Sequence, residues 1–481
     1  MKLGNAEKNR NQIRFRTVWT NKKNGGFWQF SKIEKIIIGI TISAILLVSA
    51  FGFIMNTKKP APTEFVPVVN DPTATPSATQ TISPSPTTTR KPTHVPSSAG
   101  GVPTIDPQIN KPAGLIESSP YLNSTVWKAV AANAWAYYQV GRGVDSTTGL
   151  PASGYGWNYF TDWDLGVYIQ AVIDAEKIGL ITKTGEWGAT ARLEKVIRFL
   201  ETRELNSTTK VSYWFYALDA KGYLTQNGVD VIDTGTLFVA LYNLKTYMPS
   251  LASRIDSFVY NSYGNRTDYA ALVPLLKDFV NSPSVYSYYC ASGFAFFWPN
   301  ELETVPGKIL DKMYSGNVTT YGVTLPKAEI SCEPLLYSFF QLPSNDRIRK
   351  LMNDTYLAHE ARYNSTGQYV AFSEGDSQYG FIWEWVVRAS GDTWQISNSE
   401  KLIDINPIIY SKVSLSFLAI YNSTFAKEMS IYLEKVSPDP KNGYYHGADF
   451  NTDPSLATVL DKMGGNTNAL ILAAAKYALR V

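Results

Sequence analysis

Cysteine and histidine are scarce: two of the first and three of the second in 481 residues. No two histidines stand at metal-ligand spacing and no cysteine cluster exists, which argues against a zinc centre; no metal is expected. No glycine loop of the phosphate-cradling kind and no serine-hydrolase elbow occurs, so neither nucleotide chemistry nor serine acyl transfer is indicated, and no cofactor is expected. Charge is also sparse, at 18 % of residues with a net value of +3. Most of the positive excess lies before residue 60, and the remainder carries about −6, which argues against nucleic acid as a partner.

What the N-terminus does have is a basic tail, Met1 to Lys35, with nine Lys/Arg against two acids. Ile36 to Met55 follows without a charge and is long enough to cross a bilayer as a helix. A signal peptide is the competing reading, but its apolar region is shorter and Ser49-Ala50-Phe51 is a poor cleavage site. The charge bias across the span places the N-terminus in the cytoplasm and the rest outside. Residues 56–119 are rich in Pro, Thr and Ser and have too little apolar surface to offset ordering entropy, so they read as a disordered extracellular stalk.

Residues 120–481 are the globular part. Helical periodicity runs over Thr125 to Val140, Asp164 to Ile178, Trp187 to Glu204, Thr234 to Tyr247 and Leu251 to Tyr260. It returns over Thr267 to Phe279, Glu333 to Phe340, Asp346 to Arg362, Gly380 to Arg388, Pro407 to Tyr421, Phe425 to Val436 and Thr467 to Ala478. Val211 to Leu218, Val285 to Trp298 and Thr319 to Leu325 read as short β pieces. About a dozen helices joined by alternating short and long aromatic loops suit an all-α fold, an (α/α)6 toroid with β pieces in its loops. Cys290 and Cys332 are either one disulfide, worth about 4 kcal/mol in the chain-entropy account, or two buried thiols. Seven Asn-X-Ser/Thr sequons make glycosylation permissible outside a cell.

Carboxylates recur at the starts of these helices. Thr161-Asp162-Trp163-Asp164 joins an aromatic, glycine-rich loop to an apolar helix; Asp233 opens the next such run; Glu333 precedes Pro334 in apolar, aromatic company. Each has a plain explanation, since acids cap helices and complement the partial positive charge of unpaired N–H groups. Ser373-Glu374-Gly375-Asp376 and Trp383-Glu384-Trp385 add three more acids and two aromatic platforms, and Tyr444-Tyr445-His446 stands in a loop before the last helix. In a toroid the inner helices share a direction, so loops at one end converge and acids distant in sequence meet. Glycoside hydrolysis asks for that combination: one carboxylic acid to protonate the leaving oxygen, one carboxylate to activate water or attack, and flat aromatic faces for sugar rings. The chain has twelve Trp and thirty Tyr to supply such faces.

The runs Thr161-Asp162-Trp163-Asp164, Val231-Ile232-Asp233-Thr234-Gly235, Glu333-Pro334-Leu335-Leu336 and Arg362…Thr366-Gly367…Ser373-Glu374 resemble domain-of-unknown-function family 3131, over most of Val126 to about Ala478. That family is related to glucoamylase-like α/α-toroid proteins of microbial cell surfaces. The resemblance implies an (α/α)6 toroid with a carbohydrate role. The chain departs from the family pattern after Glu374, where Gly375-Asp376-Ser377 stands in place of further acids and histidine. The expectation is a membrane-anchored extracellular glycoside hydrolase or transglycosylase acting on a polysaccharide or surface glycan. Asp164, Glu333 and Glu374 are its expected acid/base set; Asp162, Trp163, Asp233, Asp376, Trp383, Glu384, Tyr444 and His446 are expected to bind sugar. The alternative is a non-catalytic glycan-binding or envelope-structuring protein on the same fold, in which the acids only cap helices.

Overall fold

A computed structural model describes residues 114–222, 228–399, 401–437 and 440–481. The expected basic tail, the spanning helix at 36–55 and most of the stalk lie outside them. Among the described residues no helix is long and apolar enough to cross a membrane.

Twelve described helices have eight residues or more. They are α1 (Ser124–Trp135), α2 (Asp162–Ile178), α3 (Ala189–Thr202), α4 (Val231–Tyr247), α5 (Ala252–Val259) and α6 (Val285–Ala295). The second half holds α7 (Val305–Met313), α8 (Cys332–Gln341), α9 (Asp346–Thr366), α10 (Ser411–Tyr421), α11 (Thr424–Val436) and α12 (Gly465–Leu479). Their starts are set by side chains that accept from the first free N–H groups: Asn123 before α1, Thr161 before α2, Asp230 before α4, Ser284 before α6, Asn345 before α9 and Ser423 before α11.

The even-numbered helices form the inner layer. Each packs on the next, α2 on α4, α4 on α6, α6 on α8, α8 on α10 and α10 on α12, and α12 returns to α2 to close the ring. Each odd-numbered helix packs on an inner one from outside. An inner helix has neighbours on every side, which is why α2, α4 and α6 are buried nearly all round rather than along one stripe. Small residues let these helices approach. A Cβ on Gly166 of α2 would lie 2.8 Å from the Thr236 carbonyl of α4; one on Gly235 of α4 would lie 2.5 Å from Cys290 Sγ and 2.6 Å from Cys290 Cα of α6.

The β pieces sit in the connections. β1 (Tyr159–Phe160) pairs antiparallel with β2 (Tyr216–Ala217). β3 (Asn317–Thr320) and β4 (Val323–Pro326) form a hairpin whose turn residues, Tyr321 and Gly322, both have positive φ (47° and 81°). Between α9 and α10 lies a four-stranded antiparallel sheet in chain order, β5 (Glu374–Ser377), β6 (Gly380–Val387), β7 (Thr393–Asn398) and β8 (Lys401–Leu402). β9 (Ile408–Tyr410), β10 (Gly447–Asp449) and β11 (Val459–Leu460) make a three-stranded sheet beside α10.

Three expectations are corrected, and one question left open is settled. Val285 to Trp298 is helix for most of its length (α6): its β-branched and aromatic residues cover a helix buried on all faces. Gly380 to Arg388 is strand β6, because its alternating apolar residues pair with β5 and β7 on both edges. The globular part starts before residue 120: Ile116 is buried, and the Glu434 carboxylate on α11 accepts the backbone N–H groups of Ile116 (2.8 Å) and Glu117 (3.0 Å). Cys290 and Cys332 are two buried free thiols, not a disulfide; Cys290 Sγ donates to the Val231 carbonyl at 3.0 Å.

Two outcomes are expected. A thiol reagent will modify Cys290 and Cys332 only after denaturation, and full reactivity of either in the native protein would contradict their burial. Gly235→Ala pushes a methyl into the backbone of α6; overpacking of that kind costs up to about 3 kcal/mol, against roughly 1 kcal/mol that alanine gains in helix propensity. Denaturant titration should therefore show a net loss of about 2 kcal/mol.

Candidate active site

All six inner helices begin at the same end of the ring, and each presents a polar side chain in its first turn. The third residues of α2 and α4 are Asp164 and Asp233; the second residues of α6, α8, α10 and α12 are Tyr286, Glu333, Lys412 and Asn466. These ends touch one another. Glu333 and Lys412 form an ion pair with both side chains wholly buried, and Asn466 Nδ2 donates to Glu333 Oε1 at 3.1 Å. Lys412 Nζ also donates to the Glu374 backbone carbonyl at 2.7 Å, and the Tyr286 hydroxyl donates to the Glu374 carboxyl. Thr234 of α4 donates to Asp162 of α2 at 3.1 Å. Unpaired N–H groups at six helix ends make this rim partly positive, which suits acids there.

Two of the acids are held in contrasting states. Asp164 is half-buried and completes a capping box: it accepts from the Thr161 N–H at 2.9 Å and from Ser153 Oγ at 3.1 Å. Burial drives its pKa up, those hydrogen bonds pull it down, and the nearby Glu333 charge adds to the rise, leaving it at about 6. Glu374, at the start of β5, is buried, and its pKa is pushed up to about 8, first by burial and then by the Glu333 charge; Lys412, Tyr286 and the Trp383 indole oppose the rise. At neutral pH Asp164 is therefore mostly ionised and Glu374 mostly protonated. Pairs driven apart in this way divide into base and acid.

The ring of helix starts also gathers aromatic side chains. Trp163 packs against Tyr337 (5.7 Å between ring centroids), Tyr286 (6.4 Å) and Tyr289 (6.5 Å). Trp383, half-buried, packs on the exposed Phe381 at 4.8 Å. Trp214 is exposed, and its indole N–H donates to Asp233 at 3.0 Å. Asp233 has a pKa well above the ordinary value, from burial and then from its neighbour Asp230. Asp376 is half-buried beside Lys462 and Lys412, and its pKa is raised by burial. Tyr444 is half-buried in the loop before α12, its N–H bonded to Asn468 at 2.8 Å.

Other expected site residues are occupied elsewhere. Glu333, expected to be catalytic, is wholly buried and bonded to Lys412 and Asn466. Asp162 is buried and ion-paired with Arg203 at 2.5 Å, which ties α2 to the end of α3. Glu384 is wholly buried, and one carboxyl oxygen accepts the Ile408 N–H at 2.8 Å, which fastens β6 to β9. Trp163 is buried among tyrosines rather than displayed. His446 is buried, with Nδ1 2.7 Å from Thr467 Oγ1; burial, and then Lys412 and Lys462, push its pKa down to about 3, so it is neutral. Tyr286, Lys412 and Asn466 escaped the sequence reading, which searched helix entrances only for acids. The signal was there in Lys412, a lone cation inside the apolar run Ile408 to Leu418.

The family model described as "Protein of unknown function (DUF3131)" matches residues 129–275 and 276–481. No curated protein matches the chain. Among solved structures, the endo-β-1,2-glucanase of Talaromyces funiculosus in complex with sophorose is similar at 10 % identity and a TM-score of 0.52, over 74 % of this chain and 84 % of that one. The endo-β-1,2-glucanase of Chitinophaga pinensis, in complex with sophorotriose and glucose, is similar at 14 % identity and TM-score 0.50, over 74 % and 93 %. The β-1,2-glucanase of Parabacteroides distasonis gives 15 % and 0.51, over 74 % of this chain and 57 % of that one. At such identities the likeness is one of fold.

A protonated Glu374 leaves a mark on stability. Its folded pKa of about 8 lies above the ordinary 4.5, so its stabilising contribution is complete below 4.5 and is lost as pH rises through 8. Gln carries no proton to lose. Between those two pH values the Tm of the wild type should fall more steeply than that of Glu374→Gln; parallel curves would mean that Glu374 titrates normally.

Proposed function

We propose that this chain, which belongs to the DUF3131 family, is a glycoside hydrolase or transglycosylase that acts on a polysaccharide outside the cell, held to the membrane by residues 36–55. The observation that carries the reading is the pair Asp164 and Glu374, two carboxyl groups that both feel the Glu333 charge, with pKa values near 6 and 8. Glu374 donates its proton to the glycosidic oxygen as the bond to the anomeric carbon breaks. Asp164 takes the proton of the attacking water, or of an acceptor hydroxyl in transfer, or attacks the anomeric carbon itself. Trp383 and Trp214 offer faces for sugar rings. Asp233 and Asp376 offer oxygens to hydroxyl groups. The similar structures are named as β-1,2-glucanases, two of them with β-linked glucose oligosaccharides bound, which makes β-1,2-glucan the first substrate to try.

A second reading, a glycan-binding protein without turnover, is favoured by one observation: Asp162 and Glu333 are both taken up by buried ion pairs. The two readings separate on products. With β-1,2-glucan and a panel of other polysaccharides, the full-length protein is expected to release or transfer oligosaccharides. Asp164→Asn and Glu374→Gln should each lower kcat/KM by about 10²- to 10⁴-fold while glycan binding persists. Binding without product from the wild type would favour the second reading, and undiminished turnover in both variants would end the first. The wild-type kcat/KM profile should be bell-shaped, rising through pH 6 as Asp164 ionises and falling through pH 8 as Glu374 loses its proton.

A further inference from the structure

We infer that Lys412 is a positioning residue for Glu374: its single ammonium ties the Glu333 side chain to the Glu374 backbone, and so fixes both where the acid stands and what charge faces it. The inference rests on the acid/base role given to Glu374 above. Lys412 reaches its partners from the second position of α10, with no exposed side-chain surface. One donation goes to the Glu374 carbonyl at 2.7 Å, a second to Glu333, and the ammonium lies 5.3 Å from the centre of the Tyr410 ring. Asn466 from α12 holds the other side of Glu333. Two inner helices and the strand carrying Glu374 thus meet on one cation, and a third helix joins them through Glu333.

Stability alone gives no reason for such a pair, because two well-packed apolar residues often serve as well in a buried site. Its location does. Glu333 is the charge felt by both Asp164 and Glu374, and Lys412 is the group that keeps that charge in place. Other groups also bear on the site. Asp376 on β5 faces Lys412 and Lys462, and Glu384 on β6 faces Lys412 and Arg362 of α9. The hydroxyls of Tyr286, Tyr337 and Tyr410 have raised pKa values, first from burial, and stay protonated, while His446 stays neutral.

The test uses the full-length protein and the double variant Glu333→Gln with Lys412→Met, which removes both charges and leaves neither partner buried alone. Two properties are read: the carboxylic C=O infrared band of Glu374, identified by its loss in Glu374→Gln, and the steady-state kinetics. The double variant should keep a Tm close to wild type. Its Glu374 midpoint should move to lower pH by about one unit, and kcat should fall about tenfold or more with KM little changed. Lys412→Arg, which keeps the cation, should restore the midpoint. An unmoved midpoint with wild-type kcat would make Lys412 a strut and overturn the inference. A shifted midpoint in a protein whose wild type turns over no glycan would leave the positioning of Glu374 standing and remove the hydrolase reading instead. If the double variant does not fold, Glu333→Gln alone, still bonded to Asn466, is read by the same two criteria.

Discussion

A carboxylate and an ammonium face each other where water does not reach, at the starts of α8 and α10. Removing one partner of such a pair strands the other charge in a poorly solvating interior, at a cost of about 3–5 kcal/mol. The pair therefore ties the two helix ends together, and through Asn466 a third. It also places a negative charge near enough to raise the pKa values of both Asp164 and Glu374. The raised pKa values of those two acids follow from burial first and from that charge second. The candidate chemistry thus depends on an interaction that never meets the substrate.

The ring that brings the pair together is possible because its helices are close. Gly166, Gly235 and Gly293 stand where inner helices cross, and no side chain larger than a hydrogen fits between the backbones. Closing the circle with α12 on α2 aligns six helix starts on one rim. Unsatisfied N–H groups there favour acids, and caps such as Thr161 and Asp230 consume part of that demand. The remainder is met by side chains whose partners come from other helices, and a set of local caps becomes a network linked across the ring.

Much of this was legible in the sequence. Eleven of the expected helical runs overlap observed helices or helical turns, because apolar spacing and capping residues act within a few positions of one another. The errors have a physical cause. Val285 to Ala295 carries no polar face, so it shows no amphipathic period, and its Tyr and Val content resembles a strand. Gly380 to Val387 became a strand because β5 and β7 offer hydrogen bonds on both edges, which no local pattern announces. The two cysteines could not be resolved from spacing, and packing settled them as thiols.

The sequence by itself determined where helices start, that acids stand at those starts, that aromatic side chains crowd the connecting loops, and that the chain belongs to a toroid family. Only the tertiary structure decided which acids are tied up in ion pairs. Asp162 is spent on Arg203, 41 positions away, and Glu333 on Lys412, 79 positions away, while Asp164 and Glu374 keep a proton equilibrium near neutrality. The physical reason is that a helix cap is a local bond, whereas the cost of ionising a carboxyl depends on the water excluded and the charges brought near by distant parts of the chain.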